Sequence, residues 1–518
     1  MTTFHIETVG CQMNVLDSEL VTAELLRAGY VYSPTARGAD ILLFNTCSIR
    51  KHAEDKIYSA LGRLRKSKEA RPNRIFGVIG CMAQKEQKTI FKRMPHVDLI
   101  VGPGQIAQIP ALIRRIENGE GPLMELSLER KGQSRKAVGD SYVFFDPMRE
   151  PTARQTSCMA YVRVMFGCDQ FCSYCIVPLV RGPEQSREAG EILAEVRQLV
   201  SQGCREVTLI GQTVSKYHDT VSGTRLSGLL EQCEKIAEET PLERIRFVTS
   251  HPTSMTPDLL CAVRDLPHVM PYFHVPAQSG SNAQLKKMHR GYTVEQYRET
   301  IQAIRETVPG AAITSDFIVG FCGETEEDFQ QTYQLVEDCR FKNSYIFKFS
   351  PREGTKAWEL YEDDVPEAEK KRRNNVLLEL QNRISEEDNR PFLGQTVEIL
   401  VEGPSKNCGK SLPVVDAEAD ADAADADEDE AETLSKTPEE LPGEFPAEDE
   451  TSTAELPSSG VLPATAAASC SASGVLQLTG HTPCDRIVVF DGPVELTGTI
   501  QKVEIQRTSP FTLYGKLV

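Results

Sequence analysis

GCDQFCSYC, residues 167–175, is the stretch that decides the fold, with cysteines at 168, 172 and 175. A cube of four irons and four sulfides has four corners, each taking a thiolate. The spacing C-x3-C-x2-C supplies three, and no fourth cysteine is close by in the loop. One iron is thereby left for an exogenous ligand, much as a catalytic zinc site keeps an open position. Structural zinc is an alternative, but it wants four protein ligands, typically two C-x2-C knuckles, and no second knuckle is present. A disulfide pair with a spare thiol is the other.

Downstream of this loop the sequence alternates strand and helix patterns. Candidate strands are YVRVMFGC (161–168), EVTLIGQT (206–213), RIRFVTS (244–250), PYFHVPAQS (271–279), AAITSDFIVGFCGE (311–324) and NSYIFKFSPREGT (343–355), with helical segments such as SREAGEILAEVRQLVSQG between them. Six βα repeats predict a partial barrel of parallel strands, whose chemistry sits at the carboxyl ends of the strands. Cys168, Gln212, His251, Gln278, Glu324 and Arg352 fall at those ends. The opening stretch is then the loop leaving the first barrel strand.

Upstream, FHIETVGC (4–11), ILLFNTC (41–47) and IFGVIGC (75–81) read as buried strands separated by helices, an α/β unit. All three end in cysteine. Because the carboxyl ends of parallel strands face one crevice, Cys11, Cys47 and Cys81 are expected to converge despite spacings of 36 and 34 residues. Three buried structural cysteines are the plainer reading of the same residues.

Composition sets the limits. At 518 residues the chain is long for one core, so two or three domains are expected. No long apolar run and no secretory layout at the start are evident, which reads as a cytosolic protein without a membrane span. In that compartment fifteen cysteines are poor material for a disulfide framework. The formal charge of −18 argues against a nucleic-acid partner until its distribution is considered. Residues 412–473 hold 17 acidic groups against the single Lys436, so the remainder carries only −2. That segment has too little apolar surface to offset its ordering entropy and reads as a disordered insertion.

The cysteine spacing at the head of a six-fold βα repeat resembles the radical S-adenosylmethionine (AdoMet) enzymes. The strand-end trio before it narrows the resemblance to the methylthiotransferases, in which a small β-barrel called TRAM ends the chain. The strings NTCSIRKHAEDK (45–56), GCMAQ (80–84), CIVPLVRGPEQSRE (175–188), FVTSHP (247–252), HVPAQSGS (274–281) and GPSK (403–406) look like the MiaB-type branch, whereas GQTVSKY (211–217) and the acidic insertion depart from it. The resemblance implies an N-terminal methylthiotransferase domain at 1–125, a linker at 126–153, a radical AdoMet core at 154–388 and a TRAM domain at 391–518 interrupted at about 412–473.

What it implies chemically follows. Cys168, Cys172 and Cys175 would bind a [4Fe-4S] cluster whose open iron chelates AdoMet, and its electron would release a 5'-deoxyadenosyl radical. Cys11, Cys47 and Cys81 would hold a second [4Fe-4S] cluster that presents sulfur, facing the first across the substrate base. Gly320, Glu324, Ser350 and Pro351 are candidate AdoMet contacts; turn and strand-end geometry is the plainer account of them. No catalytic residue is implied beyond the cluster ligands.

The branch implied installs a methylthio group at carbon 2 of N6-isopentenyladenosine at position 37 of tRNA. Partners are then the tRNA anticodon loop and a reducing electron donor, for a monomer. Lys406, Lys410, Arg486, Lys502, Arg507 and Lys516 in the TRAM segment are candidate RNA contacts, or simply a solvated surface. The alternatives are methylthiolation of threonylcarbamoyladenosine or of a ribosomal-protein aspartate, and an iron-sulfur protein that binds RNA or transfers electrons.

Overall fold

The computed structural model describes residues 1–48, 51–126, 149, 151–154, 156–405 and 475–518, with the side chains of 51–53 left aside. Lys406, Lys410, the acidic insertion and most of the 126–153 linker lie outside the described residues. The chain begins with a parallel six-stranded sheet, order β2-β1-β3-β4-β5-β6. Its strands are β1 (Thr3–Val9), β2 (Val31–Tyr32), β3 (Ile41–Thr46), β4 (Ile75–Ile79), β5 (Leu99–Val101) and β6 (Leu123–Glu125). β3 is buried along its whole length because helices cover both faces of the sheet. Its alternating side chains feed two cores, Ile41 and Leu43 into one and Leu42 and Phe44 into the other. Helices α1 (Gln12–Arg27), α2 (Lys51–Ala70) and α3 (Cys81–Glu86) follow β1, β3 and β4.

Six parallel strands then form the partial barrel: β7 (Met159–Arg163), β10 (Glu206–Ile210), β11 (Arg244–Phe247), β12 (Tyr272–His274), β13 (Ala312–Val319) and β14 (Asn343–Lys348). They pair as β11-β10-β7 and β12-β13-β14, joined by a parallel bridge from Ile245 to Val269. One apolar core runs through them from Val162 and Leu209 to Phe317 and Ile346. The first strand is shorter than its apolar run suggests. β8 (Met165–Phe166) breaks away to pair antiparallel with β9 (Gln185–Ser186). At Gly167 (φ +74°) a Cβ would stand 1.9 Å from the carbonyl oxygen of Pro183. Only glycine allows that approach, and Cys168 therefore sits in a loop beyond the strand.

The C-terminal strands β15 (Thr396–Pro404), β16 (Val475–His481), β17 (Ile487–Pro493), β18 (Ile500–Thr508) and β19 (Thr512–Leu517) close into a small barrel, order β15-β16-β17-β19-β18. It docks at the amino ends of the large-barrel strands. Arg244 donates to the His481 carbonyl at 2.5 Å, and Arg246 donates to the Thr482 and Pro483 carbonyls at 2.9 and 3.0 Å. Lys342 pairs with Asp485 at 3.0 Å. No helix among the described residues is long and apolar enough to cross a membrane.

Candidate active site

β1, β3 and β4 are neighbours in the sheet, and Cys11, Cys47 and Cys81 follow their carboxyl ends. A buried amide network fixes the loops beneath them. Asn14 Nδ2 donates to Asn45 Oδ1 at 2.9 Å, while Asn45 Nδ2 donates to the Asn14 carbonyl at 2.8 Å and to Ser18 Oγ at 2.9 Å. Gly80 (φ +87°) lies so close that a Cβ there would meet Asn45 Oδ1 at 2.4 Å. Cys11 is exposed and its thiol is drawn down to about 6, chiefly by a hydrogen bond with Cys47, with Arg181 adding to the effect. Burial pushes the Cys81 thiol up, against the pull of Arg181.

The second trio is held from several sides. The Cys168 N–H donates to the Gly182 carbonyl at 3.1 Å, and the Ser173 N–H to that of Met288 at 3.0 Å. Arg290 Nη1 donates to Cys172 Sγ at 3.3 Å, with its other nitrogens on Tyr292 Oη and the Pro276 carbonyl, both at 3.0 Å. Burial raises Cys168 and takes Cys175 up to about 12, with the neighbouring Cys172 adding to the latter. Phe171 sits between the cysteines at φ +49° and is 44% exposed, a backbone conformation uncommon for a bulky residue.

The two trios meet across the sheet–barrel interface. Cys81 packs with Ile176 and Val180 of the turn that immediately follows Cys175. Arg181, next in line, donates from Nε to Cys81 Sγ at 3.2 Å and from Nη2 to Asp17 Oδ2 at 2.8 Å. Asp17 also accepts from Arg163 at 3.1 Å. Arg352, beyond β14, lies in electrostatic reach of Glu54 and Cys47. Ser350 and Pro351 precede it, both half-buried.

At the strand ends several buried polar atoms lack a hydrogen-bond partner: Gln212 Oε1, Ser250 Oγ, His251 Nε2 and Glu324 Oε1. Burial, with Arg290 and Lys216 adding, takes the His251 imidazole down to about 3, so it is neutral. Thr249 (φ +72°), two residues before it, and Gln278 (φ +70°), at another strand end, have strained backbones. Gly320 and Glu324 serve the fold in part, since Glu324 Oε2 accepts from the Gly320 N–H at 2.6 Å and from Arg373 at 2.7 Å. Among the sequence-derived RNA contacts, Arg486 is turned inward to Asn389 Oδ1 (2.9 Å) and Cys484 Sγ (3.0 Å), whereas Lys502, Arg507 and Lys516 are exposed. Sequence reading missed Asp17, Arg163, Arg181 and Arg290; only Arg181 carried a signal, inside CIVPLVRG.

Sulfur donors in two sets of three suit cubes, which spread thiolates over separate irons.

Residues 3–102 match the family described as "Uncharacterized protein family UPF0004", and residues 162–336 match the "Radical SAM superfamily". A relative from Rhodopirellula baltica, named tRNA-2-methylthio-N(6)-dimethylallyladenosine synthase, is 48% identical over 99% of this chain and 95% of its own. The chain belongs to that synthase family. A Carboxydothermus hydrogenoformans synthase of the same name is 42% identical over 99% of each chain. Among solved structures, the radical S-adenosylmethionine methyltransferase TsrM from Kitasatospora setae, with cobalamin and a [4Fe-4S] cluster bound, shares the fold at a TM-score of 0.50 and 13% identity, over 69% of this chain and 77% of that one.

Proposed function

We propose that the protein transfers a methylthio group to carbon 2 of N6-isopentenyl(dimethylallyl)adenosine at position 37 of tRNA, with two [4Fe-4S] clusters and two AdoMet as cofactors. The observation that carries this reading is the packing of Cys81 against the turn leaving Cys175, in a chain akin over its whole length to the synthases. Cys168, Cys172 and Cys175 would hold the cluster that binds AdoMet, and Cys11, Cys47 and Cys81 the other. When bound, these groups supply the one-electron chemistry, the sulfur and the methyl group that an aromatic C–H requires.

The chain's own residues do the rest. The thiols raised by burial lose their protons as iron binds. Gln212, His251 and Glu324 offer buried polar atoms that a polar ligand at the barrel mouth would satisfy. Ser350 and Pro351, half-buried just beyond β14, would border that ligand. The apolar group of Met288, Phe321, Phe349 and Tyr174 keeps water from beneath the cysteine loop. The exposed Phe171 ring offers a face for a base splayed from the anticodon loop. The enzyme works in the cytosol as a monomer fed by a reducing donor.

The test is nucleoside analysis of tRNA from a strain lacking its own synthase and carrying this gene. Appearance of the 2-methylthio-isopentenyl nucleoside supports the reading. Its absence, with 2-methylthio-threonylcarbamoyladenosine formed instead, assigns the chain to the sister activity. Single cysteine-to-alanine variants in either trio are expected to lose the product and about half of the roughly eight irons.

A further inference from the structure

Two buried guanidiniums point at sulfur. Arg181 (3% exposed) reaches Cys81 at 3.2 Å and Arg290 (7% exposed) reaches Cys172 at 3.3 Å, one donor for each trio. Arg290 belongs to the barrel beside its own trio. Arg181 does not: it rises from the turn after Cys175 and crosses the interface to the cysteine of the other trio. It is held on that course by Asp17, whose second oxygen accepts from Arg163.

We propose that Arg181 is a positioning residue that sets the reduction potential of the N-terminal cluster. The inference rests on the reading that Cys11, Cys47 and Cys81 hold that cluster. Reduction adds one negative charge to a cube bounded by thiolates. A cation hydrogen-bonded to one of its sulfurs stabilises the reduced form more than the oxidised one, and hydrogen bonds to sulfur and burial are recognised determinants of cluster potential. Asp17 opposes this by drawing on the same guanidinium. The pair therefore works in opposite directions: loss of the Arg181 fork makes the cluster harder to reduce, and neutralising Asp17 makes it easier.

The test uses the full chain with Cys168, Cys172 and Cys175 changed to alanine, reconstituted anaerobically with iron and sulfide and titrated under paramagnetic resonance. With Arg181 intact this background is expected to bind about four irons. Arg181→Lys keeps the charge but loses the fork, and is expected to shift the reduction equilibrium about tenfold toward the oxidised cluster, about 59 mV for one electron. Asp17→Asn is expected to shift it the other way.

Four irons with an unchanged potential in both variants overturns the inference and leaves the cluster assignment standing. Shifts of the same sign in both also overturn it, since a merely structural role would give them. No iron with Arg181 intact overturns the assignment and the inference together.

Discussion

Arg149→Met tests whether the two trios stay opposed because of buried charge. The Arg149 side chain is 1% exposed and bridges three elements: Glu19 of α1 at 2.6 Å, Glu195 of the helix Ala189–Ser201 at 2.8 Å, and the Tyr161 carbonyl of β7 at 2.6 Å. Methionine keeps much of the stem and removes the cation. Glu195 retains Arg187 at 2.7 Å, whereas Glu19, itself 6% exposed, loses the guanidinium that stood at 2.6 Å. Removing one partner of a buried ion pair costs about 3–5 kcal/mol because the other charge stays desolvated. At about 1.4 kcal/mol per factor of ten, α1 should leave the barrel roughly a thousandfold more often. Amide hydrogen exchange along α1 reads that opening directly. Exchange should accelerate by about that factor in α1 and little in β13 and β14. In Arg149→Met/Glu19→Gln much of the loss should return, since the buried carboxylate that faced Arg149 is then neutral. Acceleration below tenfold in the single variant would refute the argument, for the Arg149–Glu19 pair would then contribute little to holding α1 on the barrel.

Gly167→Ala should lower the thermal midpoint and release iron from the Cys168 trio, because its Cβ would stand 1.9 Å from the Pro183 oxygen at φ +74°; unaltered melting and iron content would show that the loop yields freely. His251 is held at about 3 in the folded chain against about 6.5 unfolded. The folded state thus binds fewer protons, and its stability is full above the unfolded value and falls as pH drops toward 3. Between pH 7 and 5 that loss is about 2 kcal/mol, and urea midpoints of His251→Gln should lack it. Lys502→Gln/Lys516→Gln should weaken tRNA binding and reduce the salt slope by about 0.7–0.9 for each phosphate that is no longer neutralised. Arg486→Gln, whose guanidinium is spent on Asn389 and Cys484, should leave the slope unchanged; the same slope in the parent and both variants would take the small barrel out of the RNA path.

Much of this architecture is legible because period and strand ends are local signals. Runs such as ILLFNT show no alternation, which is the mark of a strand covered on both faces, and its cysteine is the next residue. The length of the first barrel strand is misleading for a definite reason: YVRVMF is apolar nearly throughout, yet Met165 and Phe166 pair with Ser186 and Gln185 rather than with β10. Only the backbone approach at Gly167 explains the break, and that approach depends on Pro183, sixteen residues on. Arg486 misleads because charge alone does not reveal direction; its ring contact with Phe392 at 4.6 Å and its bond to Asn389 belong to tertiary structure.

The groups that hold the trios together are invisible in sequence for a deeper reason. Asp17 lies six residues beyond Cys11 on α1, where an acidic residue reads as a solvated helix face, yet it is fully buried between arginines 146 and 164 residues away. Charges are buried only with partners, and the partner here comes from a different sheet. The cysteines carry the sequence signal for each half of the proposed site, whereas Asp17, Arg149 and Arg181 make the contacts between the halves. A sequence that kept all six cysteines and lost Asp17 and Arg149 would look the same to motif reading. Physically it would lack the buried ion pairs that join α1 to β7 and to the turn after Cys175.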